Sequence, residues 1–273
     1  MDERVCCLGS INVDVTLLLE RMPERHEKIF SRAACVSGGG SAANTAVWLA
    51  RRGASVRMLG WVGDDLLGAF ALRDLSENGV DARAVKALAA PSPVAVCLAP
   101  PGDKRIVTSP IIDAPWTPLD ALPDCAGANW LHTTVVDLDF LARARETVEI
   151  VSLELDGRYD PAFARLADYL FTNGDELSRA IGCDDAVAEI ARRHGADRAV
   201  WFVTRGEDGV DVVCGGAVTR VAAQAFEPLD RTGGGDAFDA GAIDALREGA
   251  TPEAAARAGL ALAAEAMQRI GAR

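Results

Sequence analysis

The residues best suited to chemistry lie in Asp230-Arg-Thr-Gly-Gly-Gly-Asp-Ala-Phe-Asp-Ala-Gly241. Gly233, Gly234 and Gly235 run directly into Asp236, and the amphipathic run Phe238, Ile243, Leu246 follows. Three residues without side chains leave their backbone N–H groups open to a ligand. A helix beginning there aims its positive end at the same point. Such a site suits an anion, for instance a phosphoryl group in transfer, with Asp236 beside it to accept a hydroxyl proton. A glycine-rich turn whose Asp only caps a helix would carry the same letters.

A second segment, Ser37-Gly-Gly-Gly-Ser-Ala-Ala-Asn-Thr-Ala46, precedes the apolar run Val47, Trp48, Leu49, Ala50, and Gly53 closes it. Ser41 is the expected N-cap, which puts Asn44 in the first turn with its amide pointing at whatever lies over the helix end. Two glycine-rich helix starts suggest two anion- or hydroxyl-binding ends facing one cleft.

The elements that must position these residues alternate along the chain. Short apolar runs at 5–8, 56–59, 130–132, 150–153, 169–171 and 199–203 read as buried strands, and 66–75, 161–167, 186–193 and 252–270 as helices. That alternation predicts an α/β fold, a mainly parallel sheet flanked by helices. Gly53, Gly79 and Gly195 each end a helical run where a left-handed cap is expected. Residues 20–36 and 93–112 break the rhythm with strand-like alternation and turn residues, Pro101-Gly102-Asp103 among them. By themselves they read as surface hairpins.

Other pairs are more ambiguous. Asn12 and Asp14, two apart at a strand end, share one face and could grip adjacent hydroxyls of a sugar, or be a solvated strand end. Asn173 and Glu176 at a strand-to-helix turn fit ordinary capping. Gly206-Glu-Asp-Gly209 sits between apolar strands as in any hairpin. Asp156 and Arg158 suggest a turn salt bridge. His26, His132 and His194 are isolated, fit no triad or metal spacing, and receive no role.

Composition bounds the function. The 273 residues suffice for one large α/β domain or two modest ones. A net charge of −12 argues against nucleic acid or an anionic membrane as partner, so a phosphate site must rely on local dipoles and metal. Seven scattered cysteines with no C-x-x-C pair suggest neither zinc nor a disulfide framework. Neither a signal peptide nor a bilayer-spanning run is seen, so a cytoplasmic enzyme is expected.

Six segments, in order, resemble the ribokinase-like (PfkB) family of carbohydrate and nucleoside kinases, nearly end to end. They are Gly9-Ser-Ile-Asn-Val-Asp14; Gly39-Gly-Ser-Ala-Ala-Asn44; Gly60-Trp-Val-Gly-Asp-Asp65 with Gly68; Thr172-Asn-Gly-Asp-Glu176; Thr204-Arg-Gly-Glu-Asp-Gly209; and Asp230 to Gly241. The resemblance implies a single kinase domain, a three-layer α/β/α sandwich with a small β lid inserted at about 16–36 and 93–112, and lids of this type often pair into homodimers. It implies ATP and Mg²⁺, with Asp236 as general base and Gly233, Gly234 and Gly235 as anion hole. Asn12, Asp14, Gly39, Gly40 and Asn44 would bind the acceptor. Asn173, Thr204, Gly206 and Gly209 would face the nucleotide. Glu176 would act on Mg²⁺ indirectly, and Asp230 and Thr232 could hold a monovalent cation such as K⁺.

The chain departs from the family pattern at several points. Arg231 stands where a small residue or Thr is usual; its charge could do the monovalent ion's work, or it could point to solvent and leave the ion site normal. Gly234 replaces the usual Ala. Ser41 replaces the Lys of true ribokinases, and His132-Thr-Thr134 lacks their Gln-Leu-Glu segment; both argue against ribose. The stop at Arg273 suggests a more open ATP pocket. The expected acceptor is a sugar or sugar acid. The alternatives are a nucleoside, which needs aromatic lid residues that are scarce here beyond Phe30, and a non-catalytic sugar- or nucleotide-binding regulator, against which Asp236 and its three glycines speak.

Overall fold

Strand β1 (Arg4–Leu8) shows how the sequence builds the fold. Val5 and Cys7 enter one buried cluster, Cys6 and Leu8 another. Because successive side chains point to opposite faces, a strand apolar at every position must be covered on both sides. In the computed structural model, which describes residues 4–101, 104–109 and 116–273, the inner strands of the central sheet are covered in this way, and the edge strand at 217–221 is largely exposed.

After β1 come β2 (Asn12–Leu18), β3 (Ala33–Gly39), α1 (Ser41–Arg51), β4 (Ser55–Leu59), β5 (Trp61–Gly63), α2 (Leu66–Glu77), β6 (Lys86–Leu88), β7 (Val94–Ala99) and β8 (Arg105–Thr108). A 3₁₀ segment (Pro118–Cys125) leads to β9 (Trp130–Thr133), α3 (Leu138–Thr147), β10 (Ile150–Glu154), α4 (Phe163–Leu166), β11 (Tyr169–Asn173), α5 (Gly174–Ile181) and α6 (Ala186–His194). The chain then forms β12 (Val200–Thr204), β13 (Val210–Cys214), β14 (Ala217–Val221), α7 (Gly234–Arg247) and α8 (Pro252–Ala266).

Eight strands form the main sheet in the order β14-β13-β12-β11-β10-β9-β1-β4. The run from β12 to β4 is parallel, and β13 and β14 close one edge antiparallel. The apolar faces of α1, α2, α7 and α8 share a core with one face of the sheet. Those of the 3₁₀ segment, α3, α4, α5 and α6 cover the other. The result is the three-layer α/β/α arrangement expected. Among the described residues, no helix is long and apolar enough to cross a membrane.

The lid differs from its expected bounds. Its sheet, β3-β2-β7-β8, starts at Asn12 and ends on one side at Gly39; residues 20–32 contribute no strand. Asn12 and Asp14 therefore begin a lid strand, after the turn at Gly9, Ser10 and Ile11, instead of ending a strand of the main sheet. Gly102, Asp103 and residues 110–112 of the second lid segment lie outside the described residues. Gly53 and Gly79 take the left-handed conformation expected (φ 95° and 81°). Gly195 stays right-handed at φ −62°, because the chain there continues into a turn toward β12. Residues 161–167 form only one helical turn, and α8 stops at Ala266 instead of reaching Ile270.

Helices α7 and α8 meet backbone to backbone. A methyl group on Gly259 would stand 2.6 Å from the Phe238 carbonyl oxygen, and one on Gly241 2.8 Å from that of Ala258. This contact fixes the helix that carries Asp236. Gly259→Ala gains up to about 1 kcal/mol in helix propensity but overpacks the crossing by about 1–3 kcal/mol. The expected outcome is a lower urea midpoint with unchanged m-value, a net loss of up to about 2 kcal/mol in equilibrium unfolding.

Candidate active site

Both glycine-rich segments become helix starts on the same side of the sheet. Gly40, not Ser41, caps α1: its φ of 93° turns the chain, and a side chain there would collide with the Ser10 carbonyl oxygen at 2.3 Å. Gly233 caps α7 at φ 74°, where any Cβ would lie 2.4 Å from the Ala272 carbonyl oxygen. The first helical bond of α7 runs from the Ala237 N–H to the Gly233 oxygen (2.9 Å); of the N–H groups before it, that of Gly234 makes a long bond to the Arg231 oxygen (3.5 Å), and the others are left to a helix N-terminus. A Cβ on Gly235 would meet open space.

The two starts are joined by a hydrogen bond. The Asn44 amide donates to Asp236 Oδ2 at 2.7 Å, and the Thr45 hydroxyl to the Asp236 carbonyl oxygen at 3.3 Å. Asp236 is buried, which pushes its carboxyl above the usual range; the Asn44 and Ser41 hydrogen bonds pull it back, and the Asp14 charge raises it.

A cleft of about 1050 Å³ opens over this junction. At one end Asn12, Asp14, Gly40 and Asn44 line it. Asp14 is 8% exposed, and burial pushes its carboxyl up to about 6 against the opposing pull of Arg273 and Lys104. Gly39 does not line the cleft. A Cβ on Gly39 would fall 2.0 Å from the Asp14 carboxylate, so its bareness makes room for that side chain. The lid adds Ala95, Cys97, Lys104, Ile106 and Thr108, with no aromatic ring among them; Phe30 is 87% exposed.

At the other end lie Asn173, Glu176, Thr204, Gly206 and Gly209. Asn173 caps α5 through the N–H groups of Asp175 and Glu176 (2.9 and 3.3 Å), as its spacing suggested. The Thr204 hydroxyl donates to the Thr172 oxygen at 3.3 Å. Gly206 and Gly209 turn the chain at φ 57° and 96°, the hairpin expected between β12 and β13. An apolar slot beside them, including Ala223, Phe226, Ala264 and Met267, went unread in the sequence. Glu176 is held above the usual carboxylate range by burial and by the charge of Asp156, which also lines the cleft. Two converging carboxylates are a hard oxygen donor set that fits Mg²⁺.

Asp230 does not reach the cleft. It accepts from the Thr232 N–H (2.9 Å), the Thr232 hydroxyl (2.7 Å) and the Gly271 N–H (2.9 Å), closing the loop beneath the glycines. Arg231 does not lie over Asp230: its guanidinium pairs with Glu207 at the surface. The residues after α8 run back toward α1 and α2: the Trp48 indole donates to the Ala272 oxygen (3.2 Å), and Arg273 Nη2 stands 2.7 Å from Asp74 Oδ2, its side chain 1% exposed. Arg273 and Lys104 are the cations nearest Asp14 that sequence reasoning missed.

The pfkB family carbohydrate kinase model matches residues 2–273. The chain belongs to that family. It is 33% identical over 242 residues to a fructokinase of Klebsiella pneumoniae, covering 79% of this chain and 78% of the relative. A ribokinase of Bacillus subtilis is 30% identical over 267 residues, covering 93% and 89%. The fold superposes on the ribokinase of Arabidopsis thaliana, solved with ribose and ATP, at a TM-score of 0.82 and 23% identity, over all of this chain and 95% of that one. The protein is thus a carbohydrate kinase of the pfkB family, with the fold the sequence suggested.

Two outcomes follow from the geometry. As the general base that the resemblance implies, Asp236 would have to be ionised to accept a proton, and activity would fall as pH drops through its raised value. Removing the Asn44 donor in Asn44→Ala removes a contact that favours the ionised form. A hydrogen bond to a charged group is worth about 1.5–3 kcal/mol, so the acidic limb of kcat/KM against pH should move up by about one to two units. Arg231→Thr should leave the response to K⁺ unchanged, since the guanidinium lies away from Asp230. Initial rates in KCl against tetramethylammonium chloride at constant ionic strength check this, and a K⁺ requirement appearing in the variant would contradict it.

Proposed function

We propose that this kinase transfers the γ-phosphoryl group of ATP to a hydroxyl of a small sugar or sugar acid. The observation that carries the reading is the Asn44–Asp236 hydrogen bond, which sets one carboxylate between a hydroxyl-binding end and a row of helix N–H groups. Asn12, Asp14, Gly40 and Asn44 hold the acceptor hydroxyls. Asp236 takes the proton of the attacking hydroxyl as its oxygen bonds to phosphorus and the bond to the departing ADP oxygen breaks. The N–H groups of Gly233, Gly234 and Gly235 face the charge that develops on the equatorial oxygens.

Asn173, Thr204, Gly206 and Gly209 bear on the nucleotide, with the apolar slot near Phe226 as the place for its base. Magnesium carried by the nucleotide would draw charge from the phosphate oxygens, and Glu176 and Asp156 would hold it. Asn173 serves both as helix cap and as a polar group at this end.

The names of the fructokinase and ribokinase relatives support a sugar acceptor. So does the lid: Ala95, Cys97, Lys104, Ile106 and Thr108 bring no aromatic ring to the acceptor end on which a nucleoside base could stack. The single ammonium of Lys104 at the acceptor end suits a sugar acid.

A coupled ADP-release screen over sugars, sugar acids and nucleosides tests the acceptor class; turnover with nucleosides alone would sink it. With the acceptor in hand, Asp236→Asn should lose about 10²–10⁴ in kcat with the fold intact. Asp14→Ala should raise the acceptor KM by about ten- to a hundredfold while ATP affinity stays near wild type. Calorimetry showing ATP affinity lost and acceptor affinity kept would invert the assignment of the two ends.

A further inference from the structure

Behind Asp236, the three sheet and helix elements β9, β10 and α7 each send one donor to a common point. His132 comes from β9, Glu154 from the end of β10, and Asp239 from α7, three residues beyond Asp236. One donor atom from each lies within 4.8 Å of the others. Among the described residues they are the one group of three His, Cys, Asp or Glu side chains that converge so closely. His132 is 0% exposed and Asp239 3%. His132 Nε2, Glu154 Oε2 and Asp239 Oδ2 are all buried without a hydrogen-bond partner.

The imidazole is set up for this. Ser152 Oγ accepts from the Trp130 indole at 2.8 Å, lies 3.1 Å from His132 Nδ1 and reaches the Leu131 carbonyl oxygen at 3.5 Å. In the tautomer where Ser152 gives its one proton to Leu131 and accepts from Nδ1–H, the bare lone pair falls on Nε2. That lone pair faces two carboxylates. The charges acting on Glu154 are those of Asp236, Asp156 and Glu176, all acidic, and those on Asp239 are Glu154 and Asp236. Burial and this mutual repulsion push both carboxyls well above the usual range, so ionised they can be held together only by a shared proton or by a cation, and a cation at their centre satisfies all three groups at once.

We propose that His132, Glu154 and Asp239 bind a divalent first-row transition ion, Mn²⁺ or Zn²⁺, at a site separate from the magnesium that travels with the nucleotide. One imidazole nitrogen and two carboxylate oxygens select such ions over Mg²⁺, which prefers oxygen alone. Ligands on opposite sides of such an ion stand about 4.2 Å apart at bond lengths of about 2.1 Å. The donors close onto it with a small movement, most simply of Glu154, which is the least buried of the three. Ser152 is the outer partner that fixes the ring, as metal-bound histidines require. Glu154 and Asp239 both line the cleft, which gives the ion its entry path and leaves its remaining positions to water.

The test uses the full-length protein, stripped with EDTA and free of nucleotide and sugar. Titrated with Mn²⁺ and followed by electron paramagnetic resonance, it should bind one ion per chain, displaced by Zn²⁺. The spin-echo spectrum should carry the ¹⁴N coupling of a bound imidazole. His132→Ala should abolish that coupling. Ser152→Ala should weaken binding by about 10–100-fold, and Glu176→Gln should leave it intact. The wild-type ¹⁴N signal keeps the proposal falsifiable if the core variants do not fold. Absence of binding without nucleotide, a bound ion lacking ¹⁴N coupling, or loss of binding in Glu176→Gln would overturn it. None of these readouts depends on which acceptor the kinase uses.

Discussion

The hydrogen bond between Asn44 and Asp236 is the contact on which the rest of the cleft depends. It joins residues 192 positions apart and ties the start of α1 to the start of α7. Neither end could be moved alone. Gly40 lets the chain enter α1 beneath Ser10, Gly233 lets it enter α7 over Ala272, and Gly259 lets α8 hold α7 from behind. Each glycine stands where a Cβ would meet backbone closer than 3 Å, so the close approach of the elements dictates the residue. The outcome is two rows of helix N–H groups and one carboxylate at a shared point.

The parts of this arrangement that could be read from sequence are those encoded locally. The central strands were legible because each is apolar on both faces, a requirement of a sheet covered twice. The helix starts were legible because glycine runs before amphipathic segments have few other uses. Elements whose burial is one-sided or slight were not. Strand β14 has one buried residue out of Ala217–Val221, and α3 carries four charged residues along Leu138–Thr147 with only Phe140, Leu141 and Ala144 buried. The lid misled for a related reason. Residues 20–32 lie largely at the surface, so alternation there reported exposure to solvent and not pairing with a neighbour.

Within the site, residues carried by motifs were found and residues carried by tertiary approach were not. Lys104, Arg273, Glu154 and Asp239 have no sequence signal, since what defines them is a neighbour more than 60 positions away. His132 appeared isolated because its partners come from β10 and α7. Arg231 failed in the opposite direction: adjacency to Asp230 in sequence implied adjacency in space, but consecutive side chains in a turn diverge, and the guanidinium went to Glu207. Asn173 carried two readings, cap and ligand, that are compatible: its side-chain oxygen caps α5 while the residue lines the cleft.

The cleft must admit a polyanion into an acidic protein, and its own walls are acidic. Asp14, Asp236, Glu154, Asp239, Asp156 and Glu176 all line it, against Lys104, Arg231 and Arg257. Net attraction for phosphate cannot come from the overall charge, so it has to come from oriented N–H groups at the helix starts, which act within the first turn. The crowding of carboxylates has a use in the same place. An exposed aspartate, ionised above about pH 4, is a weak base toward a hydroxyl. Burial and the charge of Asp14 raise the proton affinity of Asp236 toward the working pH, where a general base is both ionised and able to take a proton. In the proposed reaction the glycine row and the acidic wall would act as a pair: the wall would strengthen the base, and the row would offset the repulsion that the wall imposes on the phosphate.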